Sequence, residues 1–263
     1  MQKKLLVAAL GSLFAMPVLA EDAPATAAAA PTPAVTSNVA LVSNYLYRGI
    51  SQTGAKPAIQ GGFDYAHASG FYAGVWGSSI SWISDSAAAT NAGLELDTYF
   101  GFKNSFATDY SYDVGYLRYN YPGNYAAGAT KADTDEIYGL IGYKWITAKY
   151  SYALGDTFGM SKAKGTSYID LSASYPVADT GITLGAHYGK QSYKGATADA
   201  LAAAGTTATY SDYKLSVTKD FSGYVLGLAY SNTNAKSGVG QFYNVLGKDL
   251  GKGTAVLSVT RTF

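Results

Sequence analysis

The chain has 263 residues, no cysteine and almost no net charge, with 19 Lys and Arg against 18 Asp and Glu. That balance argues against a nucleic-acid partner or a polybasic lipid anchor, and the lack of cysteine excludes a disulfide scaffold, thiolate metal sites and a lipidated N-terminal Cys. Mean hydropathy is near zero while Tyr (24) and Gly (30) are abundant, an average that amphipathic strands with aromatic ends give and that a Tyr-rich soluble β-protein would also give.

The start of the chain reads as an export signal. Met1 to Lys4 is basic, Leu5 to Met16 is apolar apart from Gly11 and Ser12, and Val18-Leu19-Ala20 places compact residues where a signal peptidase reads. Residues 1–20 are therefore expected to be a signal peptide cleaved before Glu21. The apolar run is too short to span a bilayer as a helix, and no later stretch reaches eighteen apolar residues. Cleavage leaves 243 residues with 17 basic and 18 acidic side chains, enough for one barrel or one large domain. Residues 21–36 are rich in Ala, Pro and Thr without periodicity and read as a flexible periplasmic lead-in, too short for a passenger domain. The remainder, 37–263, is expected to be one outer-membrane β-barrel.

Alternation then predicts strands in order. The first runs about Val39 to Arg48 and the second Ala58 to Ala66; after the turn 67–70 the third runs from Phe71 to about Trp82. The fourth has the clearest pattern: Leu94, Leu96, Thr98, Phe100 and Phe102 alternate with Glu95, Asp97, Tyr99, Gly101 and Lys103. The fifth, Tyr110 to Tyr121, sets Tyr112, Val114 and Tyr116 against Asp113 and Gly115, until Leu117 and Arg118 blur the faces. The sixth and seventh are Glu136 to Trp145 and Thr147 to Ala153. In the eighth, Ile169, Leu171, Ala173 and Tyr175 oppose Asp170, Ser172 and Ser174; in the ninth, Ile182, Leu184, Ala186 and Tyr188 oppose Thr183, Gly185, His187 and Gly189. The tenth is Asp212 to Lys219, the eleventh Tyr224 to Asn232 and the twelfth Thr254 to Phe263.

The connections between these strands alternate short and long. Short turns on one rim and long loops on the other, with both ends of an even-stranded sheet on the short-turn side, is the arrangement of a bacterial outer-membrane barrel with periplasmic termini and longer extracellular loops. Closure is expected between the last strand and the first, because lipid leaves no unsatisfied sheet edge. Leu257, Val259 and the terminal Phe263 form the apolar face of that last strand and read as its assembly signal.

At Ser43-Asn44-Tyr45-Leu46-Tyr47-Arg48-Gly49-Ile50-Ser51-Gln52 the sequence resembles the TorF family of porins, which carry the Gcw_chp domain, from Gram-negative bacteria. The resemblance continues through Lys56 to Tyr65, Gly70-Phe71-Tyr72, Asp113-Val114-Gly115, Tyr121-Pro122-Gly123 and Thr260 to Phe263. It implies location and a pore, and no catalytic set. The partners that follow are outer-membrane lipid and lipopolysaccharide, periplasmic chaperones and the barrel-assembly machinery during biogenesis, and small hydrophilic solutes; no nucleic acid and no cofactor is expected.

Glu95, Asp97, Lys103, Asp113, Glu136, Lys144, Lys149, Asp170, His187, Asp212 and Lys214 fall on or near the faces opposite the apolar ones and are candidates to line the interior. They form a hydrated pore wall of mixed sign, or pair across the lumen and help plug it. Arg48 and Asp64 are held to the same alternatives, Arg48 lining an eyelet or fixing the rim of the first hairpin. If Ala178 and Asp179 are the two central turn residues, Asp170 and His187 face each other directly. A carboxylate beside an imidazole suits general-base chemistry, but an inward pair in a barrel reads as structural. Asp156, Asp170 and His187 are too dispersed for a metal centre. The sequence thus points to a porin for passive diffusion of small hydrophilic solutes, with a non-conducting structural or surface-interaction barrel as the alternative, and to no enzyme.

Overall fold

The computed structural model describes residues 34–263, so the signal peptide and most of the lead-in lie outside the described residues. The alternation of the sequence is realised as twelve antiparallel strands: β1 (Ala34–Val42), β2 (Ala58–Ala66), β3 (Phe71–Ser79), β4 (Leu94–Phe106), β5 (Tyr110–Asn120), β6 (Thr134–Tyr143), β7 (Ile146–Ala153), β8 (Ser167–Val177), β9 (Ile182–Ser192), β10 (Tyr210–Phe221), β11 (Tyr224–Thr233) and β12 (Thr254–Thr262). Each pairs with its chain neighbours, and β1 pairs with β12, so the sheet is a closed barrel. The seam runs from Asn38 opposite Thr262 to Val42 opposite Ser258. Beyond it, Ser37 and Phe263 exchange both backbone hydrogen bonds, at 3.1 and 2.8 Å.

Short turns of two to four residues join β2 to β3, β4 to β5, β6 to β7, β8 to β9 and β10 to β11; loops of 13 to 20 residues make the other five connections and the β1–β2 link. The first and last described residues lie at the short-turn rim. Two short helices, α1 (Trp82–Asp85) and α2 (Ala196–Ala203), sit in the β3–β4 and β9–β10 loops.

Period-two patterning sorts the side chains to two surroundings. On β4, Leu94, Leu96 and Phe100 are exposed on the outside while Glu95, Asp97 and Tyr99 are buried within. On β11, Tyr224 and Tyr230 bracket Leu226 and Leu228 along one outward row, about 20 Å of strand at 3.4 Å per residue. Rows of this kind form an apolar band, and rings crowd its short-turn edge, where Phe71 meets Phe102 at 5.0 Å, Phe106 stacks on Tyr110 at 5.4 Å and Trp145 meets Tyr175 at 5.9 Å. Aromatic rows flanking an apolar band match the two interfaces of a bilayer. Arg118, which blurs the pattern of β5, keeps the parity: it lies outside and bridges Asp135 at 2.9 Å near the long-loop rim, while Leu117 faces in.

Several strand limits differ from the sequence expectation. β1 begins at Ala34, inside the segment read as lead-in, and ends at Val42 instead of Arg48. The cause is at Ser43 and Asn44. The Ser43 N–H donates to the Leu257 carbonyl and its hydroxyl accepts from the Leu257 N–H, which caps the ladder. Asn44 Oδ1 then accepts from the Ser51 and Thr53 hydroxyls at 2.6 and 3.2 Å, which turns the chain inward. Trp82, read as the end of the third strand, opens α1 instead.

The outward row supplies a test. Leu228→Arg is expected to cost roughly 2 to 4 kcal/mol of folding free energy in lipid vesicles, whereas Val239→Arg, in the exposed last loop, is expected to leave it unchanged. Equal losses for the two variants would mean that the outer face of β11 does not meet lipid.

Candidate functional site

A twelve-strand barrel encloses more space than its own side chains fill across the centre, and here the β1–β2 loop enters it. Leu46–Tyr47 pairs with Ile50–Ser51 as a small hairpin. Its two turn residues, Arg48 and Gly49, both have positive φ, +47° and +76°, the conformation a two-residue hairpin turn requires. Glycine is needed for a second reason: a Cβ at Gly49 would lie 2.6 Å from the Thr233 methyl and 2.8 Å from Asp212 Cβ, so the hairpin tip is pressed against β10 and β11.

The rest of the hairpin reaches the other side of the lumen. Tyr45 donates to Glu95 at 3.0 Å and packs edge-on against Trp76 at 5.7 Å. Tyr47 donates to the Tyr119 hydroxyl at 2.7 Å. Arg48 makes a bidentate pair with Glu136, Nη1 to Oε1 at 3.1 Å and Nη2 to Oε2 at 2.8 Å, with side chains only 6% and 2% exposed. The same guanidinium donates to Gln191 Oε1 at 2.7 Å and lies 4.2 Å from the Tyr168 ring centre. One short loop therefore touches β3, β4, β5, β6, β8, β9, β10 and β11 near their long-loop ends, and it stoppers that part of the lumen. A planar guanidinium suits this position because it satisfies a carboxylate bidentately while stacking on a ring.

Below the stopper, toward the short-turn rim, the wall is polar and filled by tyrosines as well as charges. Tyr99 donates to Asp64 at 2.5 Å, and Tyr72 donates to Asp113 at 2.7 Å and hydrogen-bonds Tyr138. Lys103 and Lys149 lie over the rings of Tyr72 and Tyr138, at 5.4 and 4.3 Å. Tyr72 can lie flat across the wall because its cross-strand partner is Gly101, where a Cβ would collide with its hydroxyl. The ring fills the room that Gly101 leaves beside it.

The candidate carboxylate and imidazole are brought together, with a correction to their pairing. Residues 178–181 form a four-residue turn, Asp179 at φ +55° and Gly181 at φ +67°, so Asp170 pairs with Gly189, and Ser172 with His187. A shift of two keeps the inward face. His187 Nδ1 is 3.0 Å from Asp170 and its Nε2 is 2.9 Å from Asp212, while Ser172 and Tyr168 hydroxyls close in at 3.0 Å. Both ring nitrogens are thereby engaged by carboxylates on the two flanking strands. The group clamps β8, β9 and β10, with Lys214 beside it opposite His187.

Of the predicted interior residues, Asp64, Glu95, Asp97, Lys103, Asp113, Glu136, Lys149, Asp170, His187, Asp212 and Lys214 face inward from strands. Arg48 enters from the loop, neither on the strand where it was expected nor fixing a hairpin rim. Lys144 does not face the lumen: it is a turn residue at φ +52°, half exposed, 3.7 Å from Asp109 at the short-turn rim. At the seam, Leu257 and Phe263 are exposed on the outer face, with the Arg261 guanidinium 5.7 Å from the Phe263 ring and donating to the Ser222 carbonyl at 2.9 Å. The inward rings of Tyr72 and Tyr138 and the loop that carries Arg48 are what the sequence reading missed; the signal for the rings was the inward parity of both residues on their strands.

Comparison with known proteins places these features in context. Residues 25–263 match the family described as bacterial protein of unknown function (Gcw_chp). No curated protein matches the sequence. Among solved structures, the COG4313 outer membrane channel from Pseudomonas putida F1 aligns with a TM-score of 0.46 at 14% identity, over 90% of this chain and 97% of that one. Pseudomonas aeruginosa OprD aligns with a TM-score of 0.37 at 13% identity, over 86% of this chain and 66% of that one. Acinetobacter baumannii OccAB4 gives 0.43 at 11% identity, over 87% and 62%. The chain thus spans about two thirds or less of the latter two proteins.

The buried pair can be dissected by a double substitution. Arg48→Met leaves Glu136 buried without its cation, an imbalance worth about 3 to 5 kcal/mol, and amide exchange in residues 45–51 should accelerate as the loop undocks. Arg48→Met combined with Glu136→Leu should restore most of the protection. If the double variant exchanges as fast as the single one, this pair is not what anchors the loop.

Proposed function

Because the chain belongs to the Gcw_chp family, whose function is unknown, we propose its role from the geometry: an outer-membrane channel of the porin type, stoppered at its extracellular mouth by the β1–β2 loop. Small hydrophilic solutes pass when the loop is displaced, driven only by their gradient. The observation that carries this reading is that the lumen is closed near the long loops by a segment hung from the rim, in front of a wall that is itself charged and hydroxylated. Asp64, Lys103, Asp113, Lys149 and the Asp170–His187–Asp212 group would then line the path. The outward apolar band and its aromatic rows support insertion beside lipid and lipopolysaccharide, with the short turns in the periplasm.

The burial of Arg48 and Glu136 also favours a second reading, a non-conducting barrel that acts through its outer loops. Planar-bilayer recordings separate the two. Wild-type protein is expected to show small or infrequent openings, and replacement of residues 46–51 by a Gly-Ser link should raise the conductance several-fold. Silence from both proteins, each correctly folded, would establish the non-conducting reading.

For biogenesis, we propose that periplasmic chaperones and the barrel-assembly machinery read Leu257, Val259 and Phe263 on β12. Deleting Phe263 is expected to lower the outer-membrane fraction and leave protease-sensitive chain in the periplasm. Equal membrane fractions for the two chains would remove that role.

A further inference from the structure

Above the stopper the long loops enclose a second feature, which the channel reading does not use. It is a cavity of about 410 Å³, at the small end of the range that holds compact organic ligands. Its walls are aromatic: Tyr47, Trp82, Phe158, Tyr193 and Tyr243 come from five different loops, and Tyr210 from the start of β10. They are held as edge-to-face pairs, Tyr47 with Phe158 at 5.4 Å and Tyr210 with Tyr243 at 5.0 Å. Leu201 of α2 and Met160 close the side.

The polar groups are few and mostly spoken for. Gln191 accepts from Arg48, and Gln52 donates to the Ile50 carbonyl at 2.9 Å. No acidic, basic or imidazole side chain lines the cavity among the described residues.

We propose that this cavity binds a small, neutral aromatic molecule, its ring held between the aromatic walls. Flat rings offer faces and edges to a flat ligand. A sugar would leave most of its hydroxyls unsatisfied there, and an ion would find no counter-charge. Tyr47 forms part of the floor and adjoins Arg48, so the occupant rests directly on the stopper. The site stands apart from the channel reading: it holds an aromatic molecule on the stopper and assigns nothing to the hydrophilic solutes of the path.

The test uses 4-fluoroacetophenone, followed by ¹⁹F NMR, with refolded protein in lipid nanodiscs and empty nanodiscs as the partition control. Saturable broadening beyond the control is expected, relieved by unlabelled acetophenone and not by glucose. Trp82→Ala, which removes one ring of the wall, should weaken binding about tenfold, the worth of one aromatic contact. Ala129→Trp, in a lining loop, should abolish it by filling the space, while Leu228→Ala on the outer face should leave it unchanged. Broadening no greater than in empty nanodiscs, or equal binding by wild type, Trp82→Ala and Ala129→Trp, would overturn the site. Binding by a protein that never conducts would uphold the site and overturn the channel; conduction without binding would overturn the site alone.

Discussion

Everything in this structure follows from the closing of β1 onto β12. A sheet whose outer face is apolar cannot leave an edge of unpaired N–H and C=O groups in hydrocarbon, where each costs several kcal/mol. The seam from Asn38–Thr262 to Val42–Ser258 removes that edge. Once twelve strands are closed, the circumference is set, and with it an interior too wide for wall side chains to meet at the centre. The remaining features answer the question of what occupies that interior.

The chain answers it in two ways along the axis. Toward the short turns, tyrosines laid across cross-strand glycines, with carboxylates and amines among them, thicken the wall. Toward the long loops, the hairpin tipped by Arg48 and Gly49 spans from one side to the other. The Arg48–Glu136 pair is the costliest part of the arrangement to break, because both charges are out of water and each is satisfied chiefly by the other. Such pairs specify a position more than they add net stability, which suits a loop that must dock in one place.

Much of the wall was legible in the sequence. Alternation marked the limits of β2 at Ala58 and Ala66, and the inward face of β4 at Glu95, Asp97 and Tyr99. The alternation of short and long connections carried the topology, since turns have little room for anything else. The loop was not legible, for a physical reason: Tyr-Leu-Tyr-Arg has the composition of a strand, and only the hydrogen bonds made by Ser43 and Asn44 turn it inward. Nor was the four-residue turn at 178–181, because register depends on which residues adopt positive φ, and Asp179 does so without being glycine. Lys144 shows the converse error. Its charge resembled a lumen residue, but a two-residue turn between β6 and β7 places it outside. The aromatic cavity draws on residues from 47 to 243, far apart in sequence, so no local pattern could announce it.

The way the stopper is fastened has an engineering consequence. Its anchors are side chains on eight strands that are already joined to one another by continuous backbone ladders, and the hairpin itself contributes no rung to those ladders. The ladders of the frame are therefore independent of the fitting, and an insert need only satisfy the wall carboxylates Glu95 and Glu136 that the loop now covers. Residues 44 to 52 can be exchanged for a longer, shorter or differently charged insert without unpicking any seam, which makes the barrel a holder whose bore is set by a cassette.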